Sequence, residues 1–291
     1  MAIRNRSWLL LPVFASVTVW AQDAPPLPDQ TEFLQQLRSN LQSDRLLQSR
    51  YTFREKRIDV RRDDHGTEVG RSEKVFDVYP ALKGTEAYRR LISVDGVLNG
   101  PDSLAEADRL RRIAVVDRAR QVQNETASQR GKRLHDAAED QRKENDVIND
   151  AFRLYGFRLT GRETLDGREA IALTFTPVSF VIPRTSEGKL LQKFSGRAWV
   201  DERDHQLMRL EVESVDDVSF GFGFVARLHK GSQMVFQRRP VNAVWLPSEL
   251  RYSGDGRVLL LKKLRVEAIR EYSDYKALGI ETLTGSSSSA R

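Results

Sequence analysis

The sequence predicts an α+β fold: a large curved antiparallel sheet, an open and incomplete β-barrel, with helices covering its concave face and a long charged helical insertion. Three observations predict it. From residue 157 to 269, short stretches of alternating apolar and polar residues follow one another, joined by turn residues such as Asp166-Gly167. A single helix-period stretch, 31–47, precedes the first strands. A block from 103 to 152 carries helix-forming polar residues, with ten basic and ten acidic side chains between 103 and 150.

The chain opens with Arg4 and Arg6, an apolar run from Trp8 to Val19, and Val19-Trp20-Ala21, which places small residues where a signal peptidase requires them. The expectation is a signal peptide, 1–21, removed after Ala21, and a periplasmic or secreted protein. The run is shorter than the ~20 apolar residues of a membrane span. There is no cysteine, hence no lipidation point and no permanent membrane anchor, and the exported fold must rest on packing and sheet hydrogen bonds without disulfides. The 47 basic residues against 41 acidic become 45 against 41 without the leader. The charges are interspersed and form no basic tract, which argues against nucleic acid as a partner.

Residues 22–30 form a proline-rich lead. Asp29 or Thr31 can cap the helix at 31–47, in which Phe33, Leu34, Leu37, Leu41 and Leu46 recur at helical spacing. Tyr51, Phe53 and Glu55 begin a strand, Val69–Tyr79 a second, and Tyr88–Val94 a third that ends in the hairpin pair Asp95-Gly96. In the insertion, 103–152, Leu104, Leu110, Ile113 and Val116 make an apolar stripe that fades between 121 and 133. The reading is two solvated helices, or one long frayed one, with 121–146 peripheral to the fold. The later strands run 157–164, 170–176, 196–200, 207–213, 220–228, 233–239, 244–252 and 258–269. The whole makes one domain, 31–275, followed by a serine-rich tail, 276–291.

No catalytic constellation is present. His65, His135, His205 and His229 lack the spacing of a metal site. Phe220-Gly221-Phe222-Gly223-Phe224 lacks the third glycine of a dinucleotide loop. Asp201-Glu202-Arg203-Asp204 reads as a solvated turn. The expectation is therefore a non-enzymatic protein with no cofactor and no metal. An apolar sheet face that its helices do not fill would leave an aromatic-lined cavity. The candidates are Phe175, Trp199, Met208, Leu210, Phe220, Phe222, Phe224, Met234, Phe236 and Trp245, and strand alternation does not place all ten on one side.

Asp166-Gly167-Arg168 before the strand 170–176, and Gly196-Arg197-Ala198-Trp199-Val200-Asp201 with the returning Leu207-Met208-Arg209-Leu210-Glu211, resemble the LolA/LolB-like superfamily of periplasmic lipoprotein-carrying proteins. The resemblance covers about 31–95 and 157–270. It implies an open barrel with a helical lid over a hydrophobic cavity, outer membrane lipoprotein sorting, and lipid binding. Its ligand would be a lipid or a lipoprotein acyl chain. An early-strand arginine latches the lid in the carriers, and Arg50, Arg54 and Arg57 all stand near that place. The related regulator RseB uses a similar fold to sense misplaced lipoproteins. The chain departs from the compact carriers in its length and in 103–152. The alternatives are a periplasmic sensor or interaction module that engages a protein partner through 103–152, and an unrecognised hydrolase.

Overall fold

Asp95-Gly96 and Asp166-Gly167 adopt positive φ, 48° and 80° in the first pair and 51° and 76° in the second, the geometry that closes a two-residue hairpin. Asn242 and Ala243, at φ 48° and 67°, close a third turn of this length. The computed structural model describes residues 25–63, 65–80, 87–220, 226–258 and 262–278. The leader 1–21, Phe222, Phe224 and tail residues 279–291 lie outside the described residues, as does the side chain of Phe220.

The described strands are β1 (Tyr51–Arg62), β2 (Glu68–Tyr79), β3 (Tyr88–Val94), β4 (Val97–Leu98), β5 (Tyr155–Leu165), β6 (Arg168–Pro177), β7 (Phe194–Asp201), β8 (Leu207–Ser214), β9 (Val218–Phe220), β10 (Ala226–Leu228), β11 (Gln233–Val241), β12 (Val244–Val258) and β13 (Lys262–Ala277). Eleven of them follow one path, β4-β3-β2-β1-β13-β12-β11-β8-β7-β6-β5, with β10 attached to β12 and β9 to β10. The pairings are antiparallel, and β4 and β5 are the two ends of the path, so the sheet is open.

The helices are α1 (Gln30–Asn40), α2 (Asp44–Gln48), α3 (Pro101–Gln123), α4 (Ala127–Leu154) and α5 (Ser186–Leu191). The single helix expected at 31–47 is two. Of the two candidate caps it is Asp29 that caps α1, accepting the Glu32 N–H at 2.9 Å. Leu41 is extended (φ −69°, ψ 125°), and α2 restarts after Ser43. The break serves packing. Phe33 and Leu37 of α1 bury against Ile171, Leu173, Phe175, Ala198 and Val200, whereas Leu47 of α2 packs with Tyr51 and Leu246. The strand expected at 220–228 is also divided. β9 and β10 pair antiparallel, with Phe220 opposite Ala226.

Directly opposed residues share a face. One such row runs Leu159, Leu173, Ala198, Leu210, Phe236, Leu250. The next runs Phe157, Phe175, Gly196, Val212, Met234, Tyr252. Helix α1 covers the β5–β8 end of this face. Gly196 is needed there: a Cβ at its position would stand 2.7 Å from Cζ of Phe175.

The charged block 103–152 is a helix pair. Pro101 starts α3, and a Thr126–Gln129 capping box starts α4. Together they connect one edge strand, β4, to the other, β5. α3 lies on β3, with Asp108 bound to Arg90 and Arg111 stacked on Tyr79 at 3.6 Å. α4 then passes α2 and α1, through Glu144 to Arg45 and Asn149 to Arg38, before running directly into β5.

Candidate binding cleft

Where α1 ends, the helix-bearing face loses its filling. Phe53 on β1 and Val78 on β2 are opposed and buried, and they face α2 and the α3–α4 hairpin across a cleft of about 1460 Å³. Phe53, Val78, Pro80 and Ala87 give it an apolar floor, and Leu46 of α2 adds an apolar side chain to its wall. Its roof is polar: Gln129, Lys132, Arg133, Asp136, Ala137, Asp140 and Gln141 repeat every three or four residues along one face of α4, joined by Arg118 and Gln121 of α3.

The floor is fixed by charge. Glu55, buried two residues after Phe53, accepts from Arg57 Nε at 2.9 Å and from Arg89 Nε at 3.0 Å. The roof is tied mainly to itself, by Lys132–Asp136 at 2.9 Å and Arg133–Glu125 at 2.8 Å. Of the roof cations, Arg118 has a buried Nε with no hydrogen-bond partner among the described residues, and its Nη1 donates to Gln121 at 3.2 Å.

Helix α2 bounds the cleft and is held from the sheet by Arg238 of β11. That guanidinium is 5% exposed, lies 2.7 Å from the Asp44 carboxylate, donates to the Gln42 carbonyl and sits over the Phe236 ring. Burial pushes the Asp44 carboxyl above its ordinary value, with Arg238 pulling the other way. Arg50, Arg54 and Arg57 have other surroundings than Asp44. Arg50 is exposed, Arg54 binds Asp77 and Asp274, and Arg57 binds Glu55 and stacks on Phe76. None of the three has an ion pair to a helix among the described residues. The sequence signal for Arg238 was its place in the alternation Met234, Phe236, Arg238, an arginine on the apolar side of a strand.

The structure separates the cavity candidates. Phe175 and Leu210 pack beneath α1, and Met234 and Phe236 continue the same face. Trp199, Met208 and Trp245 form a second cluster with Ala170 and Ala172. None of these seven lines the large cleft, and the described part of Phe220 lies in β9.

The motifs that carried the family resemblance meet in space. Arg168 of the first reaches Asp201 of the second at 2.5 Å, contacts Asp204 at 2.6 Å and lies over Trp245. Asp201, read as a solvated turn residue, is instead buried. Burial opposes its charge, but Arg168 and the N–H groups of Asp204 and Arg203 outweigh that and hold its carboxyl below the ordinary range. The motif is therefore a structural clasp between two strand ends.

Among the described residues no histidine–carboxylate group could hold a metal ion, and no helix is long and apolar enough to cross a membrane. No family model matches the chain, and no curated protein matches it. Solved structures do. A LolA superfamily protein from Nitrosomonas europaea is 10% identical, with a TM-score of 0.28 over 86% of this chain and 94% of its own. A DUF1329 family protein from Desulfovibrio piger is 8% identical, with a TM-score of 0.32 over 85% of this chain and 92% of its own. MucB in its complex with MucA, from Pseudomonas aeruginosa, is matched at 9% identity and a TM-score of 0.24 over 87% of this chain and all of that one. At such TM-scores the overlap carries no weight for fold or function, which stand on the topology and the cleft.

Proposed function

We propose that this protein is a non-enzymatic, exported binding protein that holds the apolar part of a lipid or lipidated partner in the cleft between α2, β1–β3 and the α3–α4 hairpin. The observation that carries this reading is the cleft itself. Its volume, about 1460 Å³, exceeds the roughly 300–1,000 Å³ of pockets for drug-sized ligands. Its apolar floor lies under a charged roof, which suits an amphiphile. A floor of this kind left to water has an unmet hydrophobic driving force of about 25 cal/mol per Å². Mass spectrometry of lipids that co-purify with the exported protein tests the reading, together with uptake of an apolar fluorescent probe. Leu46→Glu, half-exposed on the α2 wall of the cleft, should reduce probe uptake at least tenfold with the fold intact. Wild-type protein that takes up no probe and carries no lipid would remove the reading.

Export is part of this reading, and the mature protein should begin at Gln22 or within a few residues of it by N-terminal sequencing. A second reading, an interaction module that engages a protein through 103–152, is favoured by one observation. Leu110, Ile113 and Val116 on α3 are 53%, 46% and 47% exposed. A photo-crosslinker at Ile113 that captures a discrete protein in cells, when one at Arg112 does not, would support it.

A further inference from the structure

The loop between β6 and α5 displays the two most exposed large apolar side chains among the described residues, Phe180 at 95% and Ile182 at 81%. Single exposed hydrophobics are ordinary. These two stand a residue apart on a backbone that is pinned from inside. The Val178 N–H donates to the Leu154 carbonyl at 2.8 Å, Gln192 Nε2 donates to the Val181 carbonyl at 2.7 Å, and the N–H groups of Arg184 and Thr185 donate to buried Asp150 at 2.8 Å each. The main chain is thus fixed while Phe180 and Ile182 point into water. The surroundings are basic. Arg184 and Lys189 are exposed and form no ion pair among the described residues, and Glu187 is the acidic residue of the segment 178–193. Arg158 is exposed on β5, on the face where Val178 approaches Gly156.

We propose that this loop docks the protein on a bilayer surface rich in anionic headgroups, with Phe180 and Ile182 inserted at the interface and Arg184 and Lys189 against the phosphates. The occupant follows from the pairing of two apolar tips with exposed cations. Apolar burial and headgroup attraction add, and neither alone gives firm binding. The pinned backbone lowers the ordering cost of insertion. The site is distinct from the cleft, so docking and cleft loading can fail independently.

The test is sedimentation of the purified protein with vesicles of phosphatidylglycerol and phosphatidylethanolamine, or of phosphatidylcholine alone, at low and high salt. Wild type should bind the anionic vesicles, and less as salt rises. Phe180→Ser with Ile182→Ser should lower binding at least tenfold with an unchanged melting temperature and unchanged probe uptake by the cleft. Arg184→Glu with Lys189→Glu should remove the salt-dependent part. A Phe180→Trp variant should show a blue-shifted emission with anionic vesicles that brominated lipids quench. Wild type that stays in the supernatant with anionic vesicles would overturn the proposal. So would a double serine variant that binds as wild type does, or a Phe180→Trp variant whose emission brominated lipids fail to quench; the loop would then be a protein-contact site or a bare surface.

Discussion

Asp150 and Gly188 show how little freedom a single position has. Oδ2 of Asp150 takes the N–H groups of Arg184 and Thr185 and the Thr185 hydroxyl, while Oδ1 takes Arg153 at 2.7 Å. Burial opposes the charge, but these donors outweigh it and hold the carboxyl below its ordinary range. A carboxyl depressed in the folded state stabilises the fold fully above its unfolded pKa, about 3.9, and loses that contribution as pH falls through the lower folded value. The melting temperature should therefore drop below about pH 4 in wild type and less so in Asp150→Asn. Asp150→Ala would strand Arg153 and the facing N–H groups and should cost about 3–5 kcal/mol in denaturant unfolding. A Cβ at Gly188 would collide with the same Oδ2, and that oxygen is held by three donors. Gly188→Ala should cost about 1–3 kcal/mol.

At the scale of elements, α2 depends on Arg238. Removing it leaves Asp44 beside the sheet without its cation and frees one wall of the cleft. Arg238→Ala should lower stability by about 2 kcal/mol, less than a fully buried pair would because Asp44 is partly exposed. Probe exchange from the cleft should become faster, as stopped-flow fluorescence would show. Most elements were legible because their signals are local: Asp29 at the start of α1, Asp95-Gly96 and Asp166-Gly167 at hairpins, and the alternation of Leu207–Glu213. The break at Leu41 was not, because Leu37, Leu41 and Leu46 keep helical spacing through it. What divides α1 from α2 is two packing targets, one under β6 and β7 and one beside β12, and no window of the sequence contains both. α5 was missed for a similar reason: six residues are too few for a periodic signal, and its order comes from Asp150.

For the whole molecule, the helical block changes standing. By composition, 121–146 buries little and is expendable. By topology, α3 and α4 join opposite edges of an eleven-strand path. The replaced part of α4, 127–146, advances the chain roughly 30 Å at 1.5 Å per residue, whereas a ten-residue Gly/Ser linker reaches about 17–19 Å on average. Replacing 121–146 with ten such residues should lower the melting temperature markedly, and a linker of about 40 should restore most of it. Pairings such as β8 with β11 and β1 with β13 leave no trace in neighbouring residues, so the order of strands was beyond a local reading.

β13 stands between β1 and β12, with Tyr51 opposite Ala277 on one side and Val258 opposite Lys262 on the other. β13, the last strand among the described residues, is therefore the keystone. Until it arrives, the chain holds two half-sheets, β4–β1 and β12–β5, each with a naked inner edge ready to pair with a neighbour. A protein truncated before Lys262 should aggregate rather than merely lose one strand. Refolding should be slow, since its decisive contact joins segments roughly 200 residues apart. Folding therefore has to hold both inner edges, β1 and β12, apart from other strands until β13 fills the gap between them.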